Sequence, residues 1–392
     1  MLNRIEIENF RSLKAIDLEL TPLTVLIGPN GGGKSNFLDV FELLSEGSKG
    51  FLSDAIAKRG GFDSIRFRGA KEDKIFFKLE YPPTGVFKEE QNNISYKIQL
   101  RSVGTGVSIP FEQLARDPFP PHTSPLYLVN RHQGQITFLN KELGEKDQVK
   151  QLESESELAI QQIKDENTYP TPYKLLRQIQ EWMFYNPIDV GFNAPIRLPQ
   201  LTRSGTRLLT SGENLTSVLY VIQQQYPSVW DEICELLQIV YPEFRYMTFP
   251  PEGGDGKIVL RWWESPFEKS NSGFSANLLS DGTLRLLSLI AILKNPNPPP
   301  LVCIDEPEVG LHPDWIKLVG ELLDEAGTRM QLIVATHSPD LISKIKPSNI
   351  VIVEKEDGAT LLERLDEKEL EGWLENFRLG ELWRSGHLGG AS

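Results

Sequence analysis

Apolar and polar residues alternate in the opening stretch MLNRIEIENF, the period-two pattern of a half-buried strand. The apolar run from Thr24 to Ile27 predicts a fully buried strand, and the glycine turn after it leads into helical spacing from Lys34 to Leu44. From residue 81 the texture loosens. YPPTGVFKEEQNN, DPFPPHTSP and the acidic EKDQVKQLESESELAIQQIKDEN predict turns, short strands and one charged helix. Leu215, Val218, Leu219 and Ile222 fall at helical spacing and PSVWDEICELLQIV continues similarly, which predicts a packed helix pair. From residue 276 helices and strands alternate: a helix from Thr283 to Leu293, the strand LVCID, a helix from Asp314, the strand QLIVATH, a helix from Pro339 to Ile345 and the strand NIVIVEK. That alternation implies a largely parallel sheet. The expected organisation is a core split in two, residues 1–80 and 276–392, around an inserted lobe of residues 81–275. No heptad pattern is sustained, so no long coiled-coil arm is expected.

Composition narrows the class. The 392 residues are 40% hydrophobic and 24% charged, an ordinary globular balance. A net charge of −13 argues against a surface that coats nucleic acid throughout and leaves room for a local basic groove. There are two cysteines, Cys234 and Cys303, and the second lies inside an apolar run; a disulfide framework is excluded and a reducing cytoplasm fits. The longest apolar stretch, LRLLSLIAIL, contains Arg285 and is too short to span a bilayer, and the N-terminus lacks the apolar core of a signal peptide. A cytoplasmic protein with no membrane segment is expected.

Two motifs carry chemistry. Gly28-Pro29-Asn30-Gly31-Gly32-Gly33-Lys34-Ser35 matches GxxxxGK[ST] and lies between an apolar strand and a helix, where a phosphate-binding loop must lie. Its glycines let backbone N–H groups approach phosphate oxygens, Lys34 reaches the outer phosphates, and the Ser35 hydroxyl can ligate Mg²⁺. Asn30, Gly31, Gly32, Gly33, Lys34, Ser35 and Asn36 are therefore the nucleotide-binding candidates, with ATP and Mg²⁺ the expected cofactors. Leu301-Val302-Cys303-Ile304 runs into Asp305 and Glu306, which places both acids at the carboxyl end of a buried strand. Asp305 can hold Mg²⁺ or its water, and Glu306 can orient and deprotonate the water attacking the γ-phosphate.

The order of the remaining motifs resembles an ABC-type ATPase, and among these the SMC/RecF-like proteins, especially the OLD-like and RecF-like branch. Leu279-Ser280-Asp281-Gly282-Thr283 resembles the ABC signature, which often has glycine where this chain has Asp281. Ala335-Thr336-His337-Ser338 resembles the switch-histidine motif, and Glu308-Val309-Gly310-Leu311-His312-Pro313 the loop that touches the other protomer. The resemblance covers both ends of the chain and leaves out its middle. It implies an α/β ABC-type ATPase head with a split P-loop core and an inserted α+β lobe. It also implies a homodimer closed around two ATP molecules, with Ser280 of one protomer capping ATP held by the other and His337 reading the γ-phosphate. Ser280 would in any case begin a helix, and its hydroxyl suits an N-cap. Arg11, in Asn9-Phe10-Arg11-Ser12, resembles the N-terminal arginine of SMC-like heads, which implies a nucleotide-binding residue close to the ATP; a solvated strand-end arginine reads equally well. No glutamine among Gln91, Gln99, Gln113 and Gln133 has the context of a Q-loop.

Partners are less determined. Two basic clusters, Arg59, Arg66, Arg68, Lys71 and Lys74, and Arg197, Arg203 and Arg207, are candidates for DNA contact or plain solvated faces. The aromatic ending, Trp373-Leu374 through Phe377 to Leu382-Trp383, either packs on the head or offers a partner-binding segment. An ATPase acting in DNA maintenance, repair or phage defence is the first expectation. The second is an ATP-dependent scaffold that recruits a separate effector protein with little turnover. A fused nuclease, as in OLD proteins, is not expected after the last core strands. A transporter's ATPase subunit fits the long insertion and NFRSL less well than an SMC-like head does.

Overall fold

The computed structural model describes residues 1–90, 92–104, 106–118, 124–132, 134–140, 154–254, 256–265, 273–370, 372–373 and 377–388, and the backbone path of 146–149. The chain forms two compact units. One comprises residues 1–182, 348–366 and 388; the other comprises 183–347 and 367–387.

The first unit is built on an antiparallel sheet whose strands lie in the order Leu13–Glu19, Arg4–Phe10, Lys74–Tyr81, Ile94–Val103, Gly106–Arg116, Leu126–His132, Gln135–Leu139 and Lys146–Val149. Alternation along Lys74–Tyr81 buries Ile75, Phe77, Leu79 and Tyr81, and the paired Arg4–Phe10 buries Ile5 and Ile7 beside Leu79 and Phe77. Asn9, at φ 61°, breaks the alternation, and Phe10 turns inward with its ring 5.7 Å from that of Phe77. The all-buried strand Leu23–Ile27 runs parallel to Ile350–Glu356, which continues antiparallel into Ala359–Arg364. Leu23–Ile27 leads through the glycine loop into the helix Lys34–Ser48, whose Phe41 ring lies 5.7 Å from that of Trp182. The charged helix expected after residue 144 is not formed among the described residues. Lys146–Val149 is a strand, and Ala159–Gln162 is one 3-10 turn whose first amides are taken by the buried Glu112 carboxylate. A carboxylate that captures these N–H groups fixes the turn where it stands, and Ile163 is already extended. The sheet is continuous through residue 81, and the inserted lobe of residues 81–275 stands as our proposal for the organisation of the chain.

The second unit holds three parallel strands, Met183–Tyr185, Leu301–Asp305 and Gln331–Thr336, in that spatial order. Leu301–Asp305 and Gln331–Thr336 are buried except at Asp305, as apolar runs in parallel sheets are. The helix Asp281–Leu293 buries Leu284, Leu286, Leu287, Leu289, Ile290, Ile292 and Leu293, each contributing about 1.5–3 kcal/mol on full burial. The expected helix pair is present as Leu215–Gln225 and Pro227–Val240, and Pro313–Ala326 and Pro339–Ile342 complete the alternation. The aromatic ending divides. Leu379–Arg384 buries Leu382 and Trp383 and lies against Pro339–Ile342, where a Cβ on Gly380 would meet Pro339 O at 2.0 Å, whereas Trp373 and Phe377 stay exposed. Leu374 lies outside the described residues.

Candidate nucleotide site

The first unit carries the phosphate loop. A side chain is impossible at Gly28, where a Cβ would stand 2.1 Å from Val353 O, and at Gly33, where it would stand 2.1 Å from Thr360 Oγ1. The helix that follows has Gly33 as its N-cap and no side-chain cap, so its positive end faces the loop. Asn30, Gly31 and Ser35 are exposed at the crest, while Gly32, Gly33 and Lys34 are buried. The Lys34 ammonium donates to Gly28 O at 2.8 Å and Pro29 O at 3.1 Å, which curls it over the crest. A cation, the amides of a helix N-terminus and the Ser35 hydroxyl thus come together, an arrangement that could hold a polyphosphate with Mg²⁺.

Two residues that sequence reasoning missed brace that cradle. Thr360 Oγ1 donates to Gly32 O at 2.7 Å and lies 2.7 Å from Ser12 Oγ, which accepts from Asn36 Nδ2 at 2.7 Å. No local signal points to Thr360, which is a threonine in an edge hairpin. Arg11 does not stand free in solvent: its guanidinium pairs with Asp39 Oδ2 at 2.7 Å and stacks over Phe10, which ties it to the helix that carries Lys34 and Ser35.

The second unit carries the acids, the signature and the histidine. Asp305 ends its strand, and Glu306 follows in the left-handed region at φ 49°, with its N–H donating to Ala335 O at 2.8 Å. Its Oε1 lies 3.7 Å from His337 Nε2, at the end of the neighbouring strand. Glu308 Oε1 accepts from both Thr336 Oγ1 and the His337 N–H. Ser280 is the N-cap of its helix, its Oγ accepting from Thr283 N at 3.1 Å, and the side chain remains exposed. A Cβ on Gly282 would meet Gly310 O at 2.9 Å, so the signature turn and the loop after the acids press together.

Two members of the basic clusters are corrected by their surroundings. Arg59 is bound to Asp39 at 2.6 Å, Glu46 at 2.6 Å and Glu42 at 3.4 Å; burial opposes its charge, but Asp39 and Glu46 outweigh that and raise its pKa. Arg197 is buried, and its guanidinium donates to Val190, Ala276 and Leu279 carbonyls and to Asp281 at 2.6 Å. Both are framework residues, and Arg197 shapes the signature turn. Arg66 pairs with Asp63 and Asp73, Lys74 with Glu72 and Arg203 with Glu213, all near the surface, while Arg68, Lys71 and Arg207 are exposed. Of the glutamines weighed for a Q-loop, Gln99 and Gln113 lie on paired strands of the antiparallel sheet, and Gln91 and Gln133 lie outside the described residues.

Residues 1–175 match the family model described as AAA ATPase domain, and residues 265–343 match that described as AAA domain, putative AbiEii toxin, Type IV TA system. Among curated proteins, the chain is 50% identical over 44 residues to the OLD nuclease of Thermus scotoductus, covering 11% of this chain and 8% of the relative. It is 33% identical over 100 residues to the DNA replication and repair protein RecF of Vibrio vulnificus, covering 25% and 27%. The matches thus span about a quarter or less of those relatives' lengths. Among solved structures, the Smc head domain from Pyrococcus furiosus, bound there to the C-terminal domain of ScpA, superposes with a TM-score of 0.58 at 13% identity over 95% of this chain and 98% of that one. The fold is that of an ABC-type ATPase head. In its family matches and its fold the chain is similar to the SMC/RecF-like ATPases.

Proposed function

We propose that the chain binds ATP and Mg²⁺ through Asn30 to Asn36 and Asp305, hydrolyses the ATP with Glu306 as general base, and dimerises around two nucleotides. The observation that carries the hydrolytic part is Glu306 itself, held at φ 49° at the end of a buried strand with its carboxylate 3.7 Å from His337. A nucleotide clamp has no use for a base so placed. The Lys34 ammonium exchanges its loop carbonyls for outer phosphate oxygens. Ser35 and Asp305 would hold Mg²⁺, which would supply charge neutralisation on the phosphates. Glu306 takes a proton from water as the water oxygen bonds to the γ-phosphorus and the bond to the ADP oxygen breaks; His337 donates to the γ-phosphate oxygens.

By its likeness to RecF, whose name places it in DNA replication and repair, we assign this ATPase to DNA maintenance, repair or phage defence. Among the described residues, no helix is long and apolar enough to cross a membrane.

The test is paired. Lys34→Ala is expected to weaken ATP binding by about 100-fold or more, because the outer phosphates lose their lysine. Glu306→Gln is expected to bind ATP normally and to lower steady-state phosphate release by about 100-fold or more. Wild-type ATP affinity in the first variant, measured by isothermal titration, removes the loop from the site. Wild-type turnover in the second removes Glu306 from the chemistry, and negligible turnover in the unaltered protein favours the ATP-dependent scaffold instead.

A further inference from the structure

We propose that Glu308 is a positioning residue that sets the switch histidine against the general base, an inference that rests on the hydrolytic reading above. Its Oε1 accepts two hydrogen bonds of 2.7 Å, one from Thr336 Oγ1 and one from the backbone N–H of His337. Thr336 is fully buried, and its Oγ1 in turn accepts from the Ser338 N–H at 2.9 Å. Ser338 then caps Pro339–Ile342 by accepting from the Leu341 N–H. One carboxylate oxygen therefore fixes the backbone from which the His337 imidazole projects. The imidazole has little other freedom to lose, since rotation about two side-chain bonds is all that remains once its backbone is held.

Glu308 is held in its turn. Val309 N–H donates to Glu306 O at 3.1 Å and Leu311 N–H to Glu308 O at 3.1 Å, so Glu306 and Glu308 share one tight turn. Base and histidine are thus referenced to the same short stretch of chain: Glu306 directly, and His337 through the Glu308 carboxylate. This gives the 3.7 Å separation of Glu306 Oε1 and His337 Nε2 a physical origin. Glu308 does not itself touch substrate. Oε1 already has two donors, and Oε2 is inaccessible to solvent with no hydrogen-bond partner among the described residues. A carboxylate oxygen shut from solvent without a donor is unfavourable for stability, and such groups concentrate where a site requires them.

Acceptor geometry and charge are separable by substitution. Glu308→Gln keeps an oxygen for Thr336 and His337 and loses the charge; Glu308→Ala loses both. The expected pattern for Glu308→Ala is a fall in kcat of about 30-fold with ATP affinity within about twofold of wild type, since misplacing a catalytic group by an ångström costs up to about 100-fold in rate. Glu308→Gln is expected to recover kcat to within about threefold of wild type because the acceptor is retained. Thr336→Val removes one of the two donors and is expected to lower kcat in the same direction and by less; it carries the test if Glu308→Ala does not fold. A glutamine variant as slow as the alanine variant overturns the proposal by making charge the requirement, and so does an alanine variant with wild-type kcat. Hydrogen–deuterium exchange of the peptide spanning Gln331 to Ile342 decides the clamp without reference to turnover. Faster exchange at the His337 amide in Glu308→Ala but not in Glu308→Gln is expected, and unchanged exchange in Glu308→Ala overturns the clamp even if the protein proves not to hydrolyse ATP.

Discussion

Glu306 holds a backbone conformation that ordinary side chains avoid. At φ 49° a residue with a Cβ costs about 1–2 kcal/mol relative to the right-handed region, and Glu306 gains no turn-forming side-chain bond of the kind asparagine or aspartate makes there. The strain is retained because the turn aims the carboxylate back across the strand end toward His337. Glycine at this position removes the steric cost while leaving a more flexible unfolded chain, so the two effects partly offset. Glu306→Gly is therefore expected to be at least as stable as the parent, with a melting temperature unchanged or raised by about 2–4 °C, while hydrolysis is abolished. A melting temperature several degrees lower, by differential scanning calorimetry, would mean that the carboxylate stabilises this turn and that the conformation is not stored strain.

At the scale of elements, the sequence pattern was most informative where one element's own residues decide its state. Leu23–Ile27, Leu301–Asp305 and Gln331–Thr336 read as buried parallel strands because continuous apolar runs leave no polar face, and the helix starting at Asp281 reads from its serine cap. Motif spacing likewise singled out Lys34, Asp305, Glu306 and His337 as candidates, of which the fold sets Glu306 Oε1 3.7 Å from His337 Nε2. The braces were not legible, because each is one polar side chain meeting a backbone group far away in sequence. Thr360 reaches Gly32, Glu308 reaches His337, and Arg197 reaches the carbonyls before Ser280. Arg59 and Arg197 were misread for the same reason: a charge count along the chain does not reveal which carboxylates and carbonyls surround a guanidinium. The brace at Thr360 is testable. Thr360→Val keeps the shape of the side chain and leaves the Gly32 carbonyl without its donor and Ser12 without one neighbour. Loss of a buried partner costs about 1–3 kcal/mol, so ATP affinity is expected to fall by about 10-fold with the fold intact. Unchanged affinity by isothermal titration would show that the glycine loop keeps its shape without the hairpin.

At the scale of the whole molecule, the claim at issue is that two copies share each nucleotide. The resemblance to ABC-type ATPases implies that the phosphate loop of one protomer and Ser280 of its partner serve the same ATP. Ser280 is suited to this role, being exposed at the positive end of a helix. Ser280→Arg should block closure and abolish hydrolysis while leaving ATP binding by the loop intact, and Lys34→Ala should abolish hydrolysis by losing ATP itself. In a two-fold symmetric dimer built from one copy of each, one composite site carries both lesions and the other carries neither. Random mixing places half of the protein in such dimers, so equal amounts of two inactive variants are expected to regain about a quarter of the wild-type rate. Mixed dimers confirmed by differential tagging that remain inactive would argue that each protomer completes its own site. Size-exclusion chromatography of Glu306→Gln supplies the independent check: a shift from monomer to dimer on adding ATP and Mg²⁺ is expected, and a species that stays monomeric with ATP at every protein concentration removes the shared site altogether.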